Sequence, residues 1–411
     1  MLSKKTNKIQ PVRGMKDLYG HEYKQYKMLV DCAVLAGESH GFSVMNTPII
    51  EHRDVFVKSV GETSDIVSKE IYEFTDKGGD LLCLRPEGTA AVMRAIVSEG
   101  LTQSMPLKLM YYGEMFRYDR PQRGRYRQFR QFGFEHIGDK SPYNDATLIS
   151  IVMNLLESLG VSGLSLCINS IGGQESRARY ASEIRKILEP KISFLSHDSR
   201  IRLDKNPLRI LDSKDKCDQD LCSSIPPITD YLSDQEREYF ANVCSCLDTI
   251  KINYSIDTSL VRGLDYYTDT TFEIKVDNLA VCGGGRYDNL LSEFGGPSVS
   301  GVGCAIGIER LFGLISVPET LRKIVVVIPV SDHDIMYAYN VFHLITGARK
   351  EFIHIGDMKK KMQKANKLCA DIAVIIGETE RQSSTLCVKN MKDGSQEIVD
   401  SIGLMNIIDR S

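Results

Sequence analysis

The sequence predicts a large α+β domain on a mainly antiparallel sheet, interrupted by a helical insertion and followed by a small α/β domain on a mostly parallel sheet. Three observations predict this. Two β-leaning stretches, Met110–Tyr118 and Tyr126–Phe134, flank a turn from Pro121 to Gly124, which is the pattern of a hairpin. Strand chemistry at Leu164–Ile168 gives way to charged, helical sequence over about 170–255 and returns at Thr271–Lys275. Strands on both sides of a helical stretch, joined by hairpins, belong to an α+β sheet. From Ile324 onward apolar strands alternate with helices, as in a parallel-stranded α/β unit.

The elements follow in order. Tyr23, Tyr26, Val30, Ala33 and Gly37 recur at three- and four-residue spacing, which predicts an amphipathic helix between Tyr19 and His40. Phe42–Thr47 alternates and stops at Pro48, as a short strand does, because the residue before proline is pushed out of the helical region. Beyond the hairpin, Asp145 is placed to cap a helix that carries Leu148, Val152, Leu155 and Leu159 on one face. The insertion contains a polar break from Ser213 to Asp220 and the pair Pro226 and Pro227. Leu279–Cys282 is strand again and opens a glycine-rich passage. Ile324–Val330 is unbroken and apolar, hence a strand buried on both faces. A helix, a strand at Phe352–Ile355, a basic helix and a strand at Ile372–Gly377 complete the chain. The boundary is expected at Ser316–Arg322, which divides the chain into 1–320 and 323–411.

Composition narrows the classes. At 411 residues and 42% apolar content the chain is globular. No apolar run approaches the roughly 18 residues of a bilayer span, so no membrane association is expected. The basic N-terminus lacks the apolar stretch of a secretory signal. Eleven cysteines, some at apolar positions such as Cys83, Cys167, Cys282 and Cys304, suit free thiols in a reducing, cytoplasmic setting. Cys217, Cys222, Cys244 and Cys246 have no histidine pair beside them, and the eight histidines have no ligand spacing, so no metal site is expected. A net charge of −3 argues against nonspecific coating of nucleic acid.

Four constellations carry chemistry. The hairpin holds Arg117, Arg120, Arg123, Arg125, Arg127 and Arg130 against Glu114 and Asp119, interleaved with tyrosines. Planar arginine forks grip phosphate oxygens and tyrosine faces stack on bases, so this reads as a phosphate or nucleic-acid grip rather than a merely solvated basic face. On the strand that follows, alternation puts Gln131, Gly133 and Glu135 on one side and Phe132 and Phe134 on the other. That makes either a polar pocket floor or an ordinary solvent-facing strand. In Leu84–Ala91, Glu87 and Thr89 offer acceptors to an ammonium group. A glutamate in a first helical turn looks the same. In Leu260–Thr268, Arg262 beside Tyr266 and Tyr267 is expensive as mere packing and favours a site. The bunched glycines at 283–285 and 301–307 would let a ligand lie close to the backbone, with Arg310 placed to reach it. Neither a dinucleotide fingerprint nor a phosphate loop is present, and no protein nucleophile emerges. Such a site suits phosphoryl-type transfer in which the substrate brings its own nucleophile.

Together these passages resemble the histidyl-tRNA synthetases, a family of class II aminoacyl-tRNA synthetases, over nearly the whole chain. Pro48 matches the first class II motif, Phe116–Phe129 the second and Gly301–Arg310 the third. Leu260–Thr268 and Gly283–Asp288 are similar to the two histidine-specific motifs, and Asn206–Lys214 to a bacterial-type segment of the insertion. The resemblance implies a catalytic domain, an anticodon-binding-like C-terminal domain, a homodimer, and the substrates histidine, ATP with Mg2+, and tRNA(His). It implies that Glu87, Gly88, Thr89 and Gln131 surround the α-amino group. Glu135 and Tyr267 would read the imidazole, with Tyr266 shaping the pocket. Arg117 would bridge carboxylate and α-phosphate, Arg125 and Arg310 would hold ATP, and Arg262 would act in the transition state. Gln122, Arg123 and Arg127 would meet tRNA. Apart from the resemblance, Lys360, Lys364 and Lys367 share one face of the basic helix by their spacing, which suits either a distant phosphate contact or a solvated lysine face. Arg130 departs from the family's usual His or Tyr, and the C-terminal domain looks abbreviated. A non-catalytic ATP phosphoribosyltransferase regulatory subunit shares the same core and is the alternative.

Overall fold

A computed structural model describes residues 9–61, 64, 66–122, 124–316 and 323–409. The chain divides into two compact units, Met1–Val317 and Pro318–Ser411. The expected boundary lies, apart from Ser316, outside the described residues, as does the N-terminal stretch 1–8.

The first unit is built on an eight-stranded sheet. Across it the order is Ser43–Val44, Leu107–Phe116, Gln128–Ile137, Gly301–Gly307, Leu279–Tyr287, Thr268–Val276, Leu164–Ser170 and Ser255–Ile256. The sheet is mixed: its two outermost pairings are parallel and those between them antiparallel. The hairpin is its longest ladder, running from Leu107↔Ile137 to Phe116↔Gln128. A smaller sheet joins Ile50–His52, Leu81–Leu84 and Tyr72–Thr75.

Side-chain alternation gives the large sheet two different faces. Phe132, Phe134, Phe272, Ile274, Val302, Cys304 and Ile306 turn to one side and are buried against the helices Gly20–Ser39, Pro142–Ser158 and Asp234–Thr249. The residues between them, among them Gln131, Glu273, Ala305 and Gly307, face a cavity on the other side. The core side therefore anchors the strands that present the polar side.

Several elements differ from expectation for identifiable reasons. The first helix buries Val30, Ala33 and Gly37 of the predicted stripe together with Gln25 and Leu29, and Tyr26 packs partly buried on the core; of the predicted set only Tyr23 is exposed. Asp145 does not cap its helix. Ser141 stands at the N-cap of Pro142–Ser158, and Asp145 is wholly buried in an ion pair with Arg286. The polar break at Ser213–Asp220 contains the start of a helix, Lys216–Cys222, because Asp218 turns inward and accepts from the hydroxyls of Ser196, Ser199 and Ser213. The insertion has its own core of Tyr180, Ile184, Leu188, Leu195, Leu203, Leu208 and Ile210, but its last helix, Asp234–Thr249, belongs to the core of the large sheet.

The second unit has a five-stranded sheet ordered Arg349–Phe352, Ile324–Pro329, Ile372–Ile376, Leu386–Asn390 and Gln396–Val399. Ile324–Pro329 pairs in parallel with both neighbours, whereas the last two pairings are antiparallel. The expected mostly parallel sheet is thus mixed, because Leu386–Asn390 and Gln396–Val399 return as a hairpin. The strand expected at Phe352–Ile355 lies earlier, at Arg349–Phe352; Ile353 is buried and His354 to Asp357 are exposed. Helix Met358–Lys367 packs on one face through Ala365, and Ile335–Leu344 and Ser401–Asp409 cover the other, which explains an apolar strand buried on both sides.

Candidate active site

Most of the residues singled out from the sequence line one cavity of about 310 Å³ over the polar face of the large sheet. Glu87, Thr89, Arg117, Arg125, Gln131, Arg262, Tyr266, Tyr267 and Arg310 all border it. Strand ends, the hairpin, the irregular loop before Thr268 and the short helix Ile308–Leu311 each deliver part of this set.

One corner is made of acceptors. The Glu87 carboxylate accepts from the backbone N–H groups of Thr89 at 2.8 Å and Ala90 at 2.7 Å, so it satisfies two free donors at the start of helix Thr89–Ser98 while also bordering the cavity. The helix-start reading holds for this residue, and its place on the cavity leaves the acceptor reading open. The side-chain oxygen of Gln131 is buried without a partner. Glu135 lies beneath, fully buried, and accepts from Thr89 Oγ1 at 2.7 Å and Tyr287 Oη at 2.5 Å. Burial pushes its carboxyl up to about 8 despite those two hydrogen bonds. Gly303 makes the placement possible, since a Cβ there would fall on a Glu135 carboxylate oxygen. Gly88 packs against the Tyr111 ring.

The rest of the cavity sets arginines among carboxylates. Arg117 donates from Nε to the Pro86 carbonyl at 2.8 Å and lies over the Phe129 ring. Arg125 pairs with Asp119 at 3.3 Å. Arg262 pairs with Glu273 at 2.5 Å; burial opposes its charge, and Tyr267 and Glu273 more than restore it. Arg310 is lowered from the ordinary arginine value first by burial and then by repulsion from Arg125, Arg117 and Arg262. Arg310 thus feels Arg117, Arg125 and Arg262 across a cavity whose lining also carries Glu70, Asp119, Asp212, Glu273 and Glu309, and an anion placed beside Arg310 would relieve that repulsion and replace lost water.

The two glycine runs serve more than one purpose. Gly283 and Gly307 border the cavity, with Arg310 beside Gly307. A Cβ on Gly283 would fall on the Arg262 guanidinium, while Gly284 meets Phe272 and the Gly303 backbone, and Gly285 meets Tyr267 and the Thr270 backbone. The close approach at Gly283 therefore also seats Arg262. Arg286, next in the run, is a fully buried structural residue.

The hairpin tip is only partly described. Arg123 lies outside the described residues, and Gln122 is exposed in a bridge to Arg125. Arg127 is engaged with its surroundings: its guanidinium lies 3.6 Å from the Tyr118 ring centroid and its backbone N–H donates to the Gly14 carbonyl. Arg130 pairs with Glu114 at 3.2 Å and Glu309 at 3.3 Å. Sequence reasoning missed Arg209, Asp212, Glu273 and Glu309, all of which border the cavity. Alternation in Thr271–Lys275 could have found Glu273, which sits between the core residues Phe272 and Ile274.

The chain is similar to known proteins over nearly its whole length. The family model described as histidyl-tRNA synthetase matches residues 14–175 and 225–311. The histidine–tRNA ligase of Rhodospirillum rubrum is 41% identical over 95% of this chain and 96% of the relative. That of Gluconobacter oxydans is 39% identical over 97% and 98%. Among solved structures, apo histidyl-tRNA synthetase of S. aureus superposes with a TM-score of 0.80 at 33% identity, covering 97% of this chain and 99% of that one.

Proposed function

The chain belongs to the histidyl-tRNA synthetase family, and from that premise we propose how its own residues divide the work. The enzyme activates histidine with ATP and charges tRNA in two steps. A carboxylate oxygen of histidine attacks the α-phosphorus, the bond to the bridging oxygen breaks, and pyrophosphate leaves. The terminal ribose hydroxyl of tRNA then attacks the activated carbonyl, loses its proton, and releases AMP. Both nucleophiles belong to substrates, so the protein's task is to orient them and to stabilise charge.

In our reading Glu87, Thr89 and Gln131 receive the ammonium group, the cation that fits a corner of acceptors with an unpartnered amide oxygen. Glu135 and Tyr267 bind the imidazole below it. Arg117 stands between this corner and the other arginines, where it can hold the substrate carboxylate and the α-phosphate together. Arg125 and Arg310 take the nucleotide. Arg262 neutralises the charge that grows on the α-phosphate. Mg2+ is expected with ATP; among the described residues no group of three or more carboxylate, histidine or cysteine ligands is placed to hold it, so the ion would be carried mainly by the phosphates. We further propose a cytoplasmic homodimer. Support comes from the free thiols and from Ile50, Phe74 and Leu81, large apolar side chains left exposed on the small sheet. No described helix is long and apolar enough to cross a membrane.

The observation that carries the reading is the placement of Arg117, Arg125, Arg262 and Arg310 around one cavity beside a corner of Glu87, Thr89 and the unpartnered Gln131 oxygen, which suits an anion and a cation side by side. The regulatory-subunit alternative has less support, because the cavity keeps Glu87, Arg117 and Arg262. Histidine-dependent pyrophosphate exchange separates the two. Arg262→His should lower exchange about a hundredfold or more while ATP still binds, as loss of one preorganised charge donor does. Near-normal exchange would remove Arg262 from its role.

A further inference from the structure

We infer that Arg209, on the helical insertion, is a positioning residue that acts through Asp265 to hold Arg262 in place. The inference rests on the role proposed for Arg262. The loop that carries Arg262, Tyr266 and Tyr267 has no regular structure between Ser255–Ile256 and Thr268–Val276. Its C-terminal half is held by the insertion. Asn206 Nδ2 and Arg209 Nε both donate to Asp265 Oδ1, at 2.9 and 3.1 Å. Arg177, on the insertion helix Gln174–Leu188, donates to the carbonyls of Asp265 at 3.3 Å and Tyr267 at 2.9 Å.

The same strap reaches the chemistry. Arg209 and Asp212 border the cavity beside Arg262 and Gly263. Arg209 Nη1 lies 3.4 Å from where a Cβ on Gly263 would stand, so the guanidinium is packed on the backbone next to Arg262. Arg209 also borders a second cavity, of about 250 Å³, on the far side of Arg262, Leu264 and Tyr267. With space on both sides, the loop is not fixed by packing alone. Glu273 holds the Arg262 guanidinium, and the Asp265 contacts restrain the backbone beside it, so a shift of the insertion is passed to the arginine proposed to meet the transition state.

The test is pyrophosphate exchange on Arg209→Ala, Asp265→Ala and the double variant, each also made with Arg262→Ala. A preorganising contact that matters only in the transition state lowers kcat and leaves KM. Expected is a loss of about tenfold or more in kcat for either single change, with KM for histidine and ATP within about twofold. The double variant should lose no more than one single, and Arg209→Ala should cost nothing further once Arg262 is gone. Arg209→Lys keeps one donor for Asp265 and should retain most activity, which distinguishes positioning from a folding defect. Unchanged kcat in Arg209→Ala, an equal loss with and without Arg262, or a rise in KM alone overturns the inference. If Arg262→Ala itself proves active, the proposed role of Arg262 fails first, and that outcome is read separately.

Discussion

Glu135 shows how a single buried residue can join specificity to pH. It is a carboxyl without solvent, held by Thr89 and Tyr287 and pushed up to about 8 by burial. In the free enzyme below that pH it is largely protonated. An imidazole N–H that donates to Glu135 favours the carboxylate, so binding neutral histidine releases a proton and tightens as pH rises. Between about pH 6.5, where free imidazole loses its charge, and about 8, the dissociation constant should fall by up to about tenfold per pH unit, then level off. Glu135→Gln should flatten the profile, and Glu135→Ala should weaken histidine far more than ATP. Calorimetry in buffers of different ionisation heat measures the released proton directly. A pH-independent affinity, or equal losses for both ligands, rejects the assignment. The sign for stability is opposite. A carboxyl raised on folding favours the folded state most below its unfolded value near 4.3, and that contribution is lost as pH rises through about 8.

At the scale of elements, Arg286 and Asp145 tie strand Leu279–Tyr287 to helix Pro142–Ser158. Both side chains are fully buried. Ser141 O, Ser300 Oγ and Tyr239 Oη complete their hydrogen bonds. Removing one partner leaves the other charge enclosed, so Asp145→Ala should cost about 3–5 kcal/mol, and Arg286→Met added to it should recover part of the loss. Urea unfolding of the three variants decides this; additive losses would mean that the pair is not an isolated unit. The same two residues mark where the sequence could be read and where it could not. Local patterns carried the hairpin, the Gln131–Glu135 alternation and the strand Ile324–Pro329, because each is written in a period of two or an unbroken apolar run. Partnerships across 141 positions, such as Asp145 with Arg286, leave no local trace. Asp145 looked like a cap because an aspartate early in a helix usually is one. The glycine run at 283–285 looked like a ligand cradle because sequence shows that room is needed, not who takes it. Arg209 was legible only as part of a family segment, since nothing nearby in the chain announces Asp265.

For the whole molecule, the question is what a chain of net charge −3 does with a cationic helix in its second unit. Helix Met358–Lys367 turns Lys361 inward, where Nζ donates to the Pro329 carbonyl at 2.7 Å, and buries Ala365. Lys360, Lys364 and Lys367 are left exposed, four and three residues apart and so on one side. One face is thus fixed to the sheet and the other offers three cations, which suits a phosphate backbone more than a protein core. We propose that these lysines contact tRNA. Changing all three to Gln should weaken tRNA binding and reduce the slope of log affinity against log salt by about 2–3, as expected when each neutralised phosphate contributes somewhat less than one counterion. Pyrophosphate exchange, which needs no tRNA, should be unchanged, because every described residue lining the proposed active site belongs to the first unit. Charging and exchange measured side by side on the triple variant separate the two functions. Charging that stays unchanged across the salt range would make the lysines a solvated face, while a parallel loss of exchange would show that the substitutions damaged the fold rather than a contact.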